Sequence, residues 1–456
     1  MMGTPAPWIT VVAAAVGLLV ACADGAKLKS DDLAPLQLKA ALDTPFRFFV
    51  GSCGGQSPLL SLSTHRTSSR GGGGVVAPTL TSLGEFELGS WNNWNVANPQ
   101  RPGWLYSVSC TGPGRFCPGP SYVTALKFAV DASGTKVTGK VMSNVTGVGA
   151  HPVHMSMSHD NKFLLVAGYD SGTVAAVAIA DDDGALGGVQ SLSQHSGKSS
   201  CDPSTPSGGR QTGPHPHSIV PGPKDSKYYY NADLGLDKVF QYALDASGNL
   251  SIVGEVAVAP CSGPRHLAFH PSGKYVYLLH EMASSITLHS VDETSGQLSK
   301  ALSTLPLVPD SGWRYCSVVP LDGAGNCTKS AEIQVTPDGK YVFASNRGHN
   351  SIVKLSLTAS GDAFVGAATA VAWVTWVRGM QLTPDGKFLV AASDTHNDLH
   401  GTTGTSSREG RAWVAEAEVA PKGGSVIVYE IDQKGKGVLT NVAQVPVPTG
   451  CDVTFV

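Results

Sequence analysis

Charge is scarce in this sequence. Asp, Glu, Lys and Arg make up 15% of the 456 residues, the formal net charge is −3, and no run of Lys or Arg occurs anywhere. A chain without a basic stripe has no electrostatic footprint for a phosphate backbone or an acidic membrane surface, so nucleic acid is excluded as a partner. Long apolar stretches are also missing beyond the first residues, which excludes a membrane-spanning helix. What abounds instead is Gly (53) and Pro (29). Turn formers at that density, with few charges to clothe exposed helices, indicate an all-β protein of many short strands.

The one apolar run, Ile9 to Ala21, is too short to span a bilayer comfortably and is followed by the small-residue patch Ala21-Cys22-Ala23. That is the layout of a signal peptide core and cleavage region, although the segment lacks the usual Lys or Arg at its start. The expectation is a leader over 1–25, a linker over 26–44, and export. Leu19-Val20-Ala21-Cys22 also resembles a lipoprotein cleavage box, in which Cys22 would carry the lipid.

Without Cys22, eight cysteines remain, an even number compatible with disulfides in an exported chain. The close pairs Cys110 with Cys117 and Cys316 with Cys327 are the best candidates for local bridges, against a plainer reading as free buried thiols. Glycosylation sequons occur at Asn144, Asn249 and Asn326 and matter only in a eukaryotic secretory route.

One phrase recurs: a Pro/Asp/Ser turn, Gly or Asn, Lys, an aromatic, then an apolar run. Its clearest copies are His270-Pro271-Ser272-Gly273-Lys274-Tyr275, Thr336-Pro337-Asp338-Gly339-Lys340-Tyr341 and Thr383-Pro384-Asp385-Gly386-Lys387-Phe388, with weaker copies at Lys162-Phe163 and Lys227-Tyr228. From Lys162 to Lys387 the steps are 65, 47, 66 and 47 residues. The shorter step is a propeller-blade period and the longer one the same period plus a loop. Each copy is a turn signal feeding a strand of aromatic and β-branched residues, and a further strand follows after a polar loop, as at 173–179, 238–244, 285–291, 351–357 and 425–431. Degenerate copies at Phe46 to Val50 and at Gly103 to Val108 bring the series to seven.

The reading is therefore one domain over 45–456, a seven-bladed β-propeller with antiparallel four-stranded blades. The apolar C-terminal run from Cys451 to Val456 is suited to complete the first blade and remove an open sheet edge. Insertions at Ser63 to Gly74, Ser196 to Gly213 and Asp394 to Gly424 are rich in Gly, Ser or Thr and read as surface loops.

A propeller hosts enzymes and pure binding scaffolds alike, so function must be sought in polar residues where blades meet the channel. In Gly213-Pro214-His215-Pro216-His217-Ser218 the two histidines share one face of an extended strand, and His217 could serve as a general base. Gly263-Pro264-Arg265-His266 presents a guanidinium shaped for a carboxylate, a phosphate or a developing oxyanion. Leu278-Leu279-His280-Glu281 ends an apolar strand in a carboxylate that needs a partner, with Arg265 the candidate. Ser345-Asn346-Arg347-Gly348-His349 ends another strand in an arginine. Asp233, Glu281, Arg347 and Asp394 occupy matching places in consecutive blades and would ring one mouth. Taken alone, an alternating His pair or a Glu beside an Arg is more often structural; their convergence on one mouth favours a small anionic ligand.

These phrases, Gly-Pro-His-Pro-His, Asp-Leu-Gly-Leu-Asp over 233–237, Gly-Pro-Arg-His followed by Phe269-His270-Pro271, and Ser-Asn-Arg-Gly-His, resemble the signature of the lactonase propeller family, over about residues 45 to 456. The resemblance implies a metal-independent, cofactor-free seven-bladed propeller that hydrolyses 6-phosphogluconolactone or cyclises carboxy-muconate. Carried over by motif, it implies His217, Arg265, Glu281 and Arg347 as catalytic residues; His154, His215, Asp233, His266 and Asn346 are expected about the substrate. For a lactonase, His217 or Glu281 would activate water while the arginines hold the anion and the tetrahedral oxyanion. The chain departs from the family pattern at Ala150-His151-Pro152-Val153-His154, which keeps the second histidine of an Asn-Pro-Cys-His phrase and loses its cysteine, at Ala167-Gly168-Tyr169, and at Val377-Arg378, where Pro-Arg is usual.

An exported enzyme would not meet a cytosolic sugar phosphate, so the leader points to another lactone or anion, or to another route. Two readings compete with the lactonase: a carboxy-cis,cis-muconate cyclase-like cycloisomerase, in which the same arginines grip carboxylates, and a non-enzymatic extracellular propeller binding a partner through loops such as 394–424. A calcium-site propeller is disfavoured, because no carboxylates stand at ligand spacing.

Overall fold

Each Pro-Asp-Gly-Lys phrase builds the turn that launches the second strand of a blade. Thr336 Oγ1 donates to Asp338 Oδ1 at 2.7 Å and accepts the Tyr341 amide at 3.0 Å, while Asp338 Oδ1 accepts the Lys340 amide at 3.1 Å. The same set recurs at Thr383, Asp385, Lys387 and Phe388. The glycine is needed because φ there is positive, 71° at Gly339, and a Cβ at Gly339 would stand 2.4 Å from His270 Nε2 in the preceding blade.

The computed structural model describes residues 9–14, 17–22, 45–52, 56–63, 78–111, 119–223, 226–308, 312–316, 324–393, 424–432, 436–447 and 450–456. Seven four-stranded antiparallel sheets form the ring. Blade 1 combines the C-terminal Gly450–Phe455 as its inner strand with Phe46–Ser52, Ser57–Ser63 and Thr79–Phe86. The C-terminal run thus closes the ring as its sequence suggests, leaving no open edge between first and last blades.

Blades 2 to 7 follow in chain order, their inner strands being Trp91–Ala97, Pro152–Met157, Pro216–Pro221, Pro264–Phe269, Lys329–Val335 and Val377–Leu382. Their second strands are Trp104–Cys110, Phe163–Gly168, Tyr228–Asp233, Tyr275–His280, Tyr341–Arg347 and Phe388–Ser393. Among the described residues no helix is long and apolar enough to cross a membrane. Ile9–Ala14 and Gly17–Cys22 pair as a hairpin in a sheet of their own.

The core is distributed rather than central. One apolar cluster fills each of the seven blade interfaces, from Phe49, Leu59 and Leu105 between blades 1 and 2 round to Phe48, Val390 and Val428 between blades 7 and 1. A sheet buried on both faces needs apolar side chains on both, which is why the second strands read as continuous apolar runs. Buried tyrosines lock neighbours together: Tyr106 donates to Gly184 O, Tyr230 to Gly296 O and Tyr277 to Gly361 O, each reaching a turn of the next blade.

Cys316–Cys327 is a disulfide, as its close spacing suggests, and Cys201–Cys261 is another, joining residues 60 apart. Cys110 and Cys451 are also disulfide-bonded; Cys117, the expected partner of Cys110, lies outside the described residues, as do residues 64–77 and 394–423. The insertion at Ser196 to Gly213 is more than a surface loop, since Cys201 and Arg210 tie it to the ring.

Candidate active site

The inner strands share one irregularity. Near its start each skips register against the second strand, leaving an extra residue out of the ladder: Asn93, Val153, His217, Arg265 and Arg378 in blades 2, 3, 4, 5 and 7, and Cys451 in blade 1. In blade 6 the skip covers Ala331 and Glu332. A bulge bends the strand and re-aims side chains, so two consecutive residues can serve the channel where a regular strand would offer one. Two tiers result. The first, at the mouth where second strands end, gathers the bulged His217 and Arg265 round Glu281, with Arg347 and Arg210. The residues after the skipped one, Asp452, Trp94, His154, Ser218, His266 and Gly379, with Glu332, the second of the pair skipped in blade 6, form the second.

Glu281 is the hub of the first tier. It follows the second strand of blade 5 and is 3% exposed. Its Oε2 takes Arg265 Nε at 3.1 Å and Arg347 Nη2 at 3.0 Å, and its Oε1 takes Arg210 Nη1 at 3.0 Å. His217 Nε2 stands 3.8 Å from Oε2. The four residues expected to carry chemistry, His217, Arg265, Glu281 and Arg347, are therefore brought together. Arg265 and Arg347 are anchored on blade 6 as well, through Ala331 O and Ser330 O.

Burial alone would raise the Glu281 pKa, but the guanidinium groups of Arg347, Arg210 and Arg265 outweigh it and hold the carboxyl well below its usual range. Arg265 is pushed down to about 9 by burial and by the neighbouring charge of Arg347. Burial, with Arg265 and His266 alongside, holds His217 well below the ordinary imidazole value, so it is neutral. Three arginines face a single carboxylate, an excess of two positive charges. Among the described residues, His217 Nδ1 and Arg347 Nε are buried without a hydrogen-bond partner.

The second tier is different in kind. His266 Nε2 lies 3.3 Å from Arg265 Nη1, which can only donate, so Nε2 accepts and Nδ1–H donates to Glu332 Oε2 at 3.0 Å. Burial pushes Glu332 up to about 8 and Asp452 up to about 7. His154 and His266 are both held well below the usual imidazole range by burial. The tier is thus close to neutral at pH 7. Trp94, His154, Ser218, His266 and Glu332 line a cavity of about 270 Å³ that extends along the inner strands to Val220, Phe269 and Val335, away from Glu281. Gly379 lets blades 7 and 1 approach: a Cβ there would stand 2.6 Å from Cys451 O.

Other expected residues go elsewhere. Asp233 does not join Glu281 at the mouth; its Oδ2 bonds His195 Nδ1 at 2.6 Å and its Oδ1 takes the amides of His215, Gly235 and Leu236. It thereby fixes the start of the strand that carries His217. His215 stacks on Tyr169 with ring centres 4.4 Å apart. Asn346 accepts from Ser330 Oγ at 2.6 Å, inside blade 6. Asp394 lies outside the described residues. The sequence reading missed Arg210, Glu332, Asp452, Trp94 and the aromatic pair Tyr169 and Tyr315. Arg210 Nη1 donates to Tyr315 Oη at 3.1 Å and its Nη2 to Tyr169 Oη. No group of three or more His, Cys, Asp or Glu among the described residues is arranged to hold a metal.

Such a site can bind an anion, offer a neutral imidazole base, and present buried guanidinium groups to developing negative charge. A family model described as "Lactonase, 7-bladed beta-propeller" matches residues 79–403. The chain is 34% identical over 204 residues to the 6-phosphogluconolactonase of Bacillus subtilis, covering 45% of this chain and 52% of that protein. It is 27% identical over 240 residues to the 6-phosphogluconolactonase of Pectobacterium carotovorum subsp. carotovorum, covering 52% and 61%. The match thus spans about half the length of these relatives. In fold, the chain resembles the periplasmic gluconolactonase PpgL of Pseudomonas aeruginosa, with a TM-score of 0.67, 23% identity, and coverage of 91% of this chain and 99% of that one.

Proposed function

Because the chain belongs to the seven-bladed β-propeller lactonase family, we propose that it is a hydrolase that opens a small anionic sugar lactone at the Glu281 mouth, using side chains alone. The observation that carries this reading is the charge imbalance of the first tier: Arg210, Arg265 and Arg347 converge on one carboxylate. Buried positive charge without its counter-charge is costly. An anionic ligand supplies what is missing.

Of the two candidate proton acceptors, His217 is the better. Glu281, gripped by three guanidinium groups, is a weak base. The His217 imidazole is neutral, its Nε2 faces Glu281, and its Nδ1 lone pair is uncommitted among the described residues. In the proposed step His217 Nδ1 takes a proton from water as the water oxygen bonds to the lactone carbonyl carbon. Glu281 stabilises the imidazolium that forms. Arg347, whose Nε has no partner among the described residues, and Arg265 receive the tetrahedral oxyanion. The ring C–O bond then breaks, and the imidazolium returns its proton to the leaving alkoxide. His154 and His266 would border the ligand from the second tier. Disulfides at Cys201–Cys261 and Cys316–Cys327 support an extracytoplasmic site of action, with the segment before residue 26 as the leader.

The test is hydrolysis of 6-phosphogluconolactone and of glucono-1,5-lactone, corrected for spontaneous opening, with Arg347→Ala protein as control and with chelator added. The expected outcome is a saturable rate on at least one lactone that the control loses and the chelator leaves unchanged. Folded protein that opens neither lactone would reject the reading and turn attention to carboxy-muconates. A rate abolished by chelator would replace the side-chain mechanism with a metal-assisted one.

A further inference from the structure

Two disulfide-tied stretches of chain meet at Arg210. The first is the 196–213 insertion, tied to the ring by Cys201–Cys261, and it delivers Arg210 from the short 3₁₀ turn Gly208–Arg210. The second carries Tyr315 next to Cys316, which is bonded to Cys327. Arg210 Nη1 bridges them, donating to Glu281 Oε1 at 3.0 Å and to Tyr315 Oη at 3.1 Å. On its other side the guanidinium donates to Tyr169 Oη and lies 5.7 Å from the centre of that ring.

Arg210 differs from the other two arginines in one decisive respect. Its side chain is 28% exposed, against 4% for Arg265 and 5% for Arg347. A ligand arriving from solvent meets Arg210 first, and an anionic substituent can bind there while the deeper pair faces the lactone carbonyl.

The loop that carries Arg210 is also held rigidly. Asp237 is the clamp: its Oδ2 accepts from Ser199 Oγ at 2.5 Å and from the Cys261 amide at 2.9 Å, and its Oδ1 accepts the Gly263 amide at 2.8 Å. One carboxylate thereby joins the insertion to the Gly263-Pro264-Arg265 approach, and the Cys201–Cys261 bond fastens the same two strands of chain covalently. Gln211 Nε2 adds a bond to Leu234 O at 2.6 Å.

We infer that Arg210 is the specificity-determining residue of the mouth, selecting ligands by an anionic phosphate-type substituent, and that the Cys201–Cys261 disulfide sets its position. The inference rests on the lactonase reading for its kinetic arm only. With Glu281 ionised, three guanidinium groups leave two positive charges, and a phosphate monoester brings close to two negative ones at neutral pH. The planar fork of Arg210 suits two phosphate oxygens at once. Tyr169 and Tyr315 hold that fork in place, so they position it rather than bind.

The experiment has two arms on the full chain. In the first, binding of inorganic phosphate and of 6-phosphogluconate is measured by calorimetry for wild type, Arg210→Ala, Arg210→Lys and the Cys201→Ser/Cys261→Ser pair, each checked for a native melt. Arg210→Ala should weaken 6-phosphogluconate binding about tenfold, Arg210→Lys should recover part of it, and the cysteine pair should show an intermediate loss. In the second arm, Arg210→Ala should raise KM for the phosphorylated lactone about tenfold more than it raises KM for neutral glucono-1,5-lactone.

Unchanged phosphate and 6-phosphogluconate affinity in folded Arg210→Ala protein would overturn the assignment, as would an equal KM change on both lactones. A wild type that binds 6-phosphogluconate through Arg210 but opens no lactone would sustain the inference and sink the hydrolytic reading. Tighter binding of a dicarboxylate than of phosphate would overturn the phosphate preference.

Discussion

The two tiers of the channel draw on consecutive residues of the same inner strands, yet they differ in electrostatic character. Arg265 and His266 are neighbours in the chain; one belongs to an ion cluster with excess positive charge, the other to a near-neutral imidazole–carboxyl pair. Glu281 and Glu332 are each 3% exposed, so burial does not distinguish them. The difference is which charges the blades bring within reach. Glu281 collects three guanidinium groups and stays ionised. At Glu332 desolvation outweighs the Arg265 guanidinium and holds the proton on up to about pH 8. The same side-chain type thus becomes a permanent anion in one tier and a neutral acid in the next.

The sharpest way to break this contrast is to make the same substitution in both tiers. Glu281→Gln leaves three guanidinium groups without their anion, so it should destabilise the fold by about 3–5 kcal/mol. It should also lower kcat by about two to four powers of ten, through loss of the group that stabilises the His217 imidazolium. Denaturant melts and lactone turnover would read the two effects. A Glu281→Gln protein as stable and as active as wild type would mean that the cluster is not the ion-paired hub described here.

Glu332→Gln should act in the other direction. A carboxyl whose folded pKa is raised binds more protons in the native state than in the unfolded one. Its contribution is therefore fully present below the unfolded value near 4.5 and is lost as pH rises through about 8. The neutral amide does not pay that cost. At pH 9 the variant should exceed wild type in stability by on the order of 2–4 kcal/mol, and the difference should shrink toward zero below about pH 4.5. Urea melts across that range would show it, and a difference independent of pH would refute the assignment of a buried neutral acid at Glu332.

The contrast between tiers also explains what could be read from sequence. The blades were legible because each is announced by a local signal, the turn phrase feeding an aromatic and apolar run, and closure by Cys451 to Val456 followed from an unpaired apolar strand at the chain end. His217, Arg265, Glu281 and Arg347 stood out because each puts a polar group at the start or end of an apolar strand. Glu332 did not, since Ala331-Glu332-Ile333-Gln334-Val335 reads as ordinary alternation with a solvent-facing glutamate. Only the bulge, which depends on the partner strand's register, turns that residue into the channel. Arg210 was hidden for a different reason: it sits among Ser, Gly and Thr in an insertion whose path is set by a disulfide to a residue 60 positions away. Asp233 misled because it stands one place short of the site: it pairs with Pro216 as His280 pairs with Pro264, so the position matching Glu281 is Leu234, and the partners of Asp233, His195 and three amides, come from its own blade and the loop before it.

The mildest perturbation that separates the tiers is salt. The first tier attracts an anion from solvent through Arg210, whose exposed side chain leaves its field partly open to screening. The Debye length falls from about 30 Å at 0.01 M to about 10 Å at 0.1 M ionic strength. Over that range kcat/KM for the phosphorylated lactone should drop by about threefold to tenfold, because steering toward a charged cleft weakens as its field is screened. Glucono-1,5-lactone carries no charge and should show no such decline. The pH dependence conferred by Glu332, whose side chain is 4% exposed, should persist across the same salt series, since a buried pair is screened much less than an exposed charge. Equal salt sensitivity on both lactones would mean that the mouth's excess charge does not reach the ligand, and the division of the channel into a charged entrance and a neutral interior would fail at the point where it meets substrate.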